Sequence, residues 1–112
     1  MTGAQILDVL EQGFSLERGV LQVAGMTVTY DLSRPIGERV VAVTIGDAPL
    51  DENATYTVTT FSFLASGADL YSGFLEAEVM VADGPKYSEL LETRFASGEA
   101  VAAPEGGRLN PL

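Results

Sequence analysis

Apolar side chains recur at helical spacing at the start of the chain. Ile6, Leu7, Leu10 and Phe14 mark one face, and Asp8, Glu11 and Gln12 mark the other. Thr2-Gly3-Ala4-Gln5 in front of them has the form of a capping box, a hydroxyl N-cap with Gln at N3, so a helix is expected to begin there and end near Gly13. The period then changes. Gly19 to Gly25 reads as a short extended segment. Met26, Val28 and Tyr30 alternate with Thr27 and Thr29, the pattern of a half-buried strand. Pro35 and Gly37 make Asp31–Glu38 a loop. Arg39–Ile45 is the strongest strand signal, long and β-branched; Gly46-Asp47 turns it, and Ala48-Pro49-Leu50 continues briefly. After the polar turn Asp51–Ala54, Tyr56–Phe61 reads as a strand, and Phe74–Val81 as another strand or extended piece.

Asp83-Gly84-Pro85 is expected to open a second helix, with Asp83 as cap and Pro85 near its first position; Tyr87, Leu90, Leu91 and Phe95 would be its buried stripe. Gly, Ala and Pro dominate residues 98–112, a tail or crossing loop. The order α-β-β-β-β-β-α predicts an α+β fold, a mainly antiparallel or mixed sheet with two flanking helices.

Composition narrows the chemistry. The 112 residues suit one domain, and 46% apolar with 20% charged residues is a globular balance. No apolar run approaches the length of about 18 residues that a membrane-spanning helix needs, and Thr2–Phe14 lacks the basic start of a signal peptide. Cysteine is absent, which excludes disulfides and thiolate metal sites. Histidine is absent too, which removes the commonest metal ligand and general base, and with them Ser-His-Asp and Cys-His mechanisms. Six basic residues against sixteen acids leave a net charge of −10, a surface that repels nucleic-acid phosphates and anionic membranes.

One stretch suggests recognition rather than packing. The Tyr56–Phe61 run feeds a small-residue loop that carries an aromatic ring at Phe63 and a carboxylate at Asp69, separated by Leu64-Ala65-Ser66-Gly67-Ala68. Such a loop lets a flat ligand approach; the ring can stack on a base and the carboxylate can accept hydrogen bonds from sugar hydroxyls. Taken singly, an aromatic at a strand end is more often core, and an Asp in a turn more often caps its own backbone. Other signals have plain readings. Asp47, Asp51, Glu52 and Asn53 lack the ligand order of a calcium loop and read as a solvated turn. Asn53-Ala54-Thr55 matches a glycosylation sequon, relevant only in a eukaryotic secretory setting. Asp8 and Glu11 read as an outer helix face, and Arg34 and Arg39 as partners of Asp31 or Glu38.

Several segments together resemble the C-terminal domain of the 5′-nucleotidase family. They are Leu21-Gln22-Val23-Ala24-Gly25, the run Tyr30-Asp31-Leu32-Ser33-Arg34-Pro35-Ile36-Gly37-Glu38-Arg39-Val40-Val41, and Leu50-Asp51 followed by Thr55-Tyr56-Thr57-Val58. Phe63-Leu64-Ala65-Ser66-Gly67-Ala68-Asp69-Leu70-Tyr71 resembles that family's loop, usually Phe-Leu-Ala-(Asn/Ser)-Gly-Gly-Asp-Gly-(Tyr/Phe). The resemblance implies a two-domain hydrolase, secreted or periplasmic, whose N-terminal metallophosphatase domain holds two divalent metal ions. The C-terminal domain binds the nucleotide or nucleoside, its loop Phe stacking on the base and its loop Asp contacting the ribose. Those roles fall on Phe63 and Asp69, with Gly67 and Ala68 shaping the loop. The family's first stacking Phe and substrate-binding Arg residues lie upstream of the first helix. Gly-Gly-Asp-Gly becomes Gly67-Ala68-Asp69-Leu70, so a positive φ at either altered position would strain the loop.

The chain is thus expected to be a single, N-terminally truncated recognition domain over 1–112, with no catalytic residue or metal site of its own. Its partners would be a nucleotide and the metallophosphatase domain of the same polypeptide, not nucleic acid or membrane, with homo-oligomers through a truncated sheet edge. The rival reading is a non-catalytic binding or assembly module that kept the fold and lost the nucleotide site.

Overall fold

The computed structural model describes residues 1–17, 19–79 and 84–112. Helix α1 spans Gly3–Phe14. The Thr2 hydroxyl accepts from the Gln5 N–H at 3.2 Å, and Gln5 Oε1 accepts from the Thr2 N–H at 2.9 Å, so the expected capping box forms. Among the described residues, four strands make one sheet: β1 (Met26–Tyr30), β2 (Val40–Ile45), β3 (Ala48–Pro49) and β4 (Leu109–Pro111), in the order β3-β2-β1-β4. β1 and β2 are antiparallel, with Val28 opposite Val43 and a register shift between Thr29 and Tyr30. β2 returns antiparallel into β3 through Gly46-Asp47, where Gly46 takes φ 62°. β4 joins parallel to β1, which makes the sheet mixed. The fold is α+β, as the element order predicts.

Helix α1 lies between two apolar clusters. Ile6, Leu10 and Phe14 pack on Val28 and Val43 of the sheet, and Val28 and Phe14 are almost wholly buried. Phe14 also stacks on Tyr30, ring centres 4.4 Å apart. On its other side Val9 joins Leu64, Tyr71 and Phe74. Leu7, expected in the core, is half-buried, and Val9 takes the deeper position.

Polar anchors fix the helix in place. Glu11 is not the solvated residue that the helix pattern suggests. Its carboxylate accepts the backbone N–H groups of Arg39 (3.0 Å) and Val40 (2.7 Å), tying α1 to the start of β2. Arg39 donates through Nη1 to the Phe14 carbonyl at 2.6 Å, so it closes the helix end rather than pairing with Glu38. Arg34 does lie beside Asp31, at 3.9 Å.

The second half departs further from expectation. Tyr56–Phe61 forms no sheet strand; Thr2 and Thr55 make a single bridge, and Tyr56 exchanges both backbone hydrogen bonds with Met1 (2.9 and 2.7 Å). The alternating pattern suits an extended chain, but a ladder needs a neighbour. In place of a strand from Phe74, Ser72–Glu76 is a 3-10 helix that buries Phe74; the end of that expected strand, Met80-Val81, lies outside the described residues. Helix α2 (Ser62–Ala65) is a short turn not foreseen in the loop. Helix α3 spans Tyr87–Ala96 with Lys86 as cap, so Pro85 precedes it; the expected cap Asp83 lies outside the described residues. Its apolar residues Tyr87, Leu90, Leu91 and Phe95 are exposed rather than a buried stripe. In the expected tail, Leu109–Pro111 becomes strand β4.

Removing the Glu11 carboxylate would leave two half-buried amides without acceptors. Glu11→Ala is expected to lower stability by about 1–3 kcal/mol, whereas Asp8→Ala, on the exposed face, stays within about 0.5 kcal/mol. Urea denaturation of the two variants checks this contrast.

Candidate functional site

The loop from Phe61 to Glu76 is built from inside outward. Leu64 (7% exposed), Tyr71 (3%) and Phe74 point into the second core cluster against α1. The Tyr71 hydroxyl donates to the Gly19 carbonyl at 3.0 Å. Burial raises its pKa above the usual tyrosine value; the Asp69 carboxylate adds to the rise and a backbone contact at Leu21 opposes it. Gln12 holds the loop from the helix side: its Oε1 accepts the Gly73 N–H at 3.0 Å and its Nε2 donates to Ser72 Oγ at 2.9 Å. Gln5 Nε2 donates to the Glu76 carbonyl at 3.0 Å. Gly73 is required by closeness, since a methyl there would come within 2.8 Å of Val9 Cγ2.

With these residues turned inward, Phe63 and Asp69 face outward. Helix α2 carries Phe63 on its exposed side, 61% accessible, while its neighbour Leu64 is buried. Ser66 Oγ donates to the Phe63 carbonyl at 2.6 Å and closes the turn. Gly67 then takes φ 83°; a Cβ there would be strained and would sit 2.9 Å from Leu75 Cδ1. Ala68 has no positive φ, but Asp69 (φ 54°) and Leu70 (φ 68°) are both left-handed. Asp tolerates this region; a bulky Leu seldom adopts it. The Asp69 carboxylate has no hydrogen-bond partner among the described residues, so it is not spent on capping its own turn.

Two shallow hollows lie beside the loop on the α1 side. One, of 230 Å³, is lined by Glu11, Gln12, Ser15, Glu17, Ile36, Gly37 and Leu70. The other, of 260 Å³, is lined by Asp8, Glu11, Gln12, Gly37, Ser72, Gly73 and Glu76. Neither is lined by Phe63 or Asp69. The expected pair is displayed on one loop outside these two hollows, and Leu70 lines the first of them beside the helix. Sequence reasoning missed the anchoring roles of Gln12 and Tyr71. The signal available for Gln12 was a long amide on a helix face otherwise carrying acids.

The donor set does not suit a metal centre. The sequence holds no His or Cys, and among the described residues no three Asp or Glu side chains converge.

Leu70 is the position at which strain can be released. Leu70→Gly is expected to raise stability by up to about 1 kcal/mol, the left-handed penalty exceeding the entropy cost of glycine. Ala68→Gly, at a residue without positive φ, is expected to lower it by about 0.5–1 kcal/mol. Thermal denaturation of the two variants gives the signs.

Comparison with known proteins agrees with this architecture. Residues 1–76 match the family described as "5′-nucleotidase, C-terminal domain". The whole chain superposes on the crystal structure of a 5′-nucleotidase precursor from Thermus thermophilus, with a TM-score of 0.88 and 35% identity, covering 24% of that chain. It also superposes on the sulfate thiohydrolase SoxB from the same species (TM-score 0.70, 25% identity), covering 21% of that chain. In sequence it is 42% identical over 86 residues to the trifunctional nucleotide phosphoesterase protein YfkN of Bacillus subtilis, covering 69% of this chain and 6% of that protein. The chain thus spans a quarter or less of the length of these relatives. Its matched family, its α+β sheet and the superposition over its full length make it a member of the 5′-nucleotidase C-terminal domain family.

Proposed function

We propose that this chain is the substrate-recognition part of a two-domain, metal-dependent nucleotide hydrolase. Phe63 stacks on the base, and Asp69 accepts hydrogen bonds from the ribose hydroxyls. Gly67 and Ala68 set the turn between them. Phosphate-ester hydrolysis belongs to an N-terminal metallophosphatase domain of the same polypeptide, which supplies two divalent metal ions. The carrying observation is that Phe63 and Asp69 are both exposed, with Asp69 uncommitted, on a loop whose Leu64, Tyr71 and Phe74 pack against α1.

The chemistry of the chain fits a binding role. It has no histidine or cysteine to move protons or act as nucleophile at neutral pH. Its net charge of −10 opposes phosphate, so its useful contacts are with the uncharged end of a nucleotide. A periplasmic or secreted setting is supported by the precursor form of the Thermus relative. A second reading, a module that kept the fold and no longer takes nucleotide, is favoured by one feature: Leu70 sits strained in the left-handed region.

In the full polypeptide, Phe63→Ala is expected to raise KM for AMP by about 5- to 150-fold, because stacking on a ring contributes about 1–3 kcal/mol. Asp69→Asn should raise KM for AMP more than for the 2′,3′-dideoxy analogue. The 112-residue chain alone is expected to release no phosphate from AMP with Zn²⁺, Mn²⁺ or Mg²⁺, and to bind adenosine no more tightly than about 1 mM. An unchanged KM in Phe63→Ala, with folding intact by circular dichroism, would reverse the assignment in favour of the second reading.

A further inference from the structure

The sequence holds two asparagines, and their side-chain amides stand in opposite situations. Asn110 precedes Pro111 and Leu112, and its Nδ2 donates to the Gly107 carbonyl at 2.8 Å. Asn53 precedes Ala54 and Thr55, the three-residue sequon of N-linked glycosylation. Asn53 and Thr55 are exposed. Among the described residues, neither the Asn53 amide nor the Thr55 hydroxyl makes a hydrogen bond; only the backbone N–H of Asn53 is held, by Asp51 Oδ1 at 2.9 Å. Three residues alone tie the sequon to a eukaryotic secretory setting. Asp51 widens that setting. Asp51-Glu52-Asn53-Ala54-Thr55 has an acid two places before the asparagine and no proline beside it, the five-residue form that bacterial oligosaccharyltransferases take.

The fold presents this stretch without needing its side chains. The Ala54 N–H donates to the Asp51 carbonyl at 3.1 Å and closes a β-turn. Gly3 and Ala4, at the start of α1, donate to the carbonyls of Ala54 and Glu52 at 3.0 and 3.1 Å. The Asp51 N–H donates to the Tyr56 hydroxyl at 2.9 Å. Each of these anchors uses a backbone group of the turn, so a saccharide on Asn53 Nδ2 breaks none of them. Asp51, Glu52, Asn53 and Thr55 are all exposed, and an enzyme can reach acceptor and recognition side chains with the chain folded. An amide nitrogen is a weak nucleophile because its lone pair is delocalised into the carbonyl, and it must turn out of that plane to react. The unbonded Asn53 amide can turn; the Asn110 amide is held.

We propose that Asn53 is an acceptor for an N-linked oligosaccharide, transferred by an oligosaccharyltransferase that reads Asp51 and Thr55. The donor is a polyprenyl-pyrophosphate-linked oligosaccharide. Asn53 Nδ2 forms a bond to the anomeric carbon as the bond from that carbon to the pyrophosphate oxygen breaks. The amide gives up one proton, and polyprenyl pyrophosphate leaves with the electron pair. The product is a bulky, solubilising group on a surface turn. Glycosylation requires an exported chain and no bound nucleotide, so the outcome for Phe63→Ala does not bear on it.

The test exports the polypeptide to the periplasm of bacterial cells that carry such a transferase and its lipid-linked donor. Intact mass spectrometry is expected to show a gain of one oligosaccharide, and peptide mapping to place it on Asn53. Asn53→Gln and Thr55→Ala should abolish the gain, and Thr55→Ser should keep it. Asp51→Asn, which retains an acceptor for the Asn53 N–H, should lose most of it. The purified, folded polypeptide should also be modified by purified transferase and donor. No gain, while a control acceptor in the same cells is modified, would overturn the proposal. So would a gain that survives Asn53→Gln or Asp51→Asn, or modification of the purified polypeptide only after unfolding in urea.

Discussion

The fold depends on the two-sided burial of helix α1. One face packs Ile6, Leu10 and Phe14 on Val28 and Val43, and another packs Val9 on Leu64, Tyr71 and Phe74. Burying each of these larger side chains contributes about 1.5–3 kcal/mol, and the helix shares that contribution between sheet and loop. The polar anchors follow the same division: Glu11 holds β2, while Gln12 and Gln5 hold the loop. A helix used this way needs a small residue where a neighbour comes close. Gly73 supplies that on the loop side, against Val9. The loop is therefore positioned by the same element that organises the core, and its outward residues inherit that rigidity.

The parts of the fold legible in the sequence are those decided locally. The capping box, the spacing of α1, the alternation of β1 and the β-branched run of β2 each carry their own signal, and each forms where expected. The losses share one physical cause: the missing information lay in a partner. Tyr56–Phe61 has the period of a strand, but pairing depends on a neighbour, and among the described residues the ladder beside it stops at Met1 and Thr2. Tyr87, Leu90, Leu91 and Phe95 have the period of a buried stripe, but burial needs a surface to face. Leu109–Pro111 was hidden for the opposite reason. Three residues in a Gly- and Pro-rich stretch carry no periodicity, and their strand exists because β1 offers an edge.

At the site, the sequence told residue type better than geometry. An aromatic and a carboxylate on a small-residue loop are found exposed together. What spacing could not convey was the split between Phe63 and Leu64, adjacent residues of helix α2 that stand about 100° apart around its axis, one outward and one inward. Nor could it convey two successive left-handed residues at Asp69 and Leu70. Such strain persists only where surrounding contacts over-determine the backbone. Here the contacts are visible on both sides: Gly67 and Leu75 before the turn, buried Tyr71 after it.

Charge ties the loop to the rest of the chain. Acids dominate the sequence, yet the residues from Asn53 to Ala68 are uncharged, and they include the extended edge, helix α2 and Phe63. A neutral strip on an acidic body is suited to apolar and hydrogen-bonding contacts, and unsuited to holding phosphate. The chain's six basic residues lie outside that strip, and Arg39 is engaged in holding the fold through the Phe14 carbonyl. The α1-anchored loop gives this neutral strip a fixed place on the acidic chain.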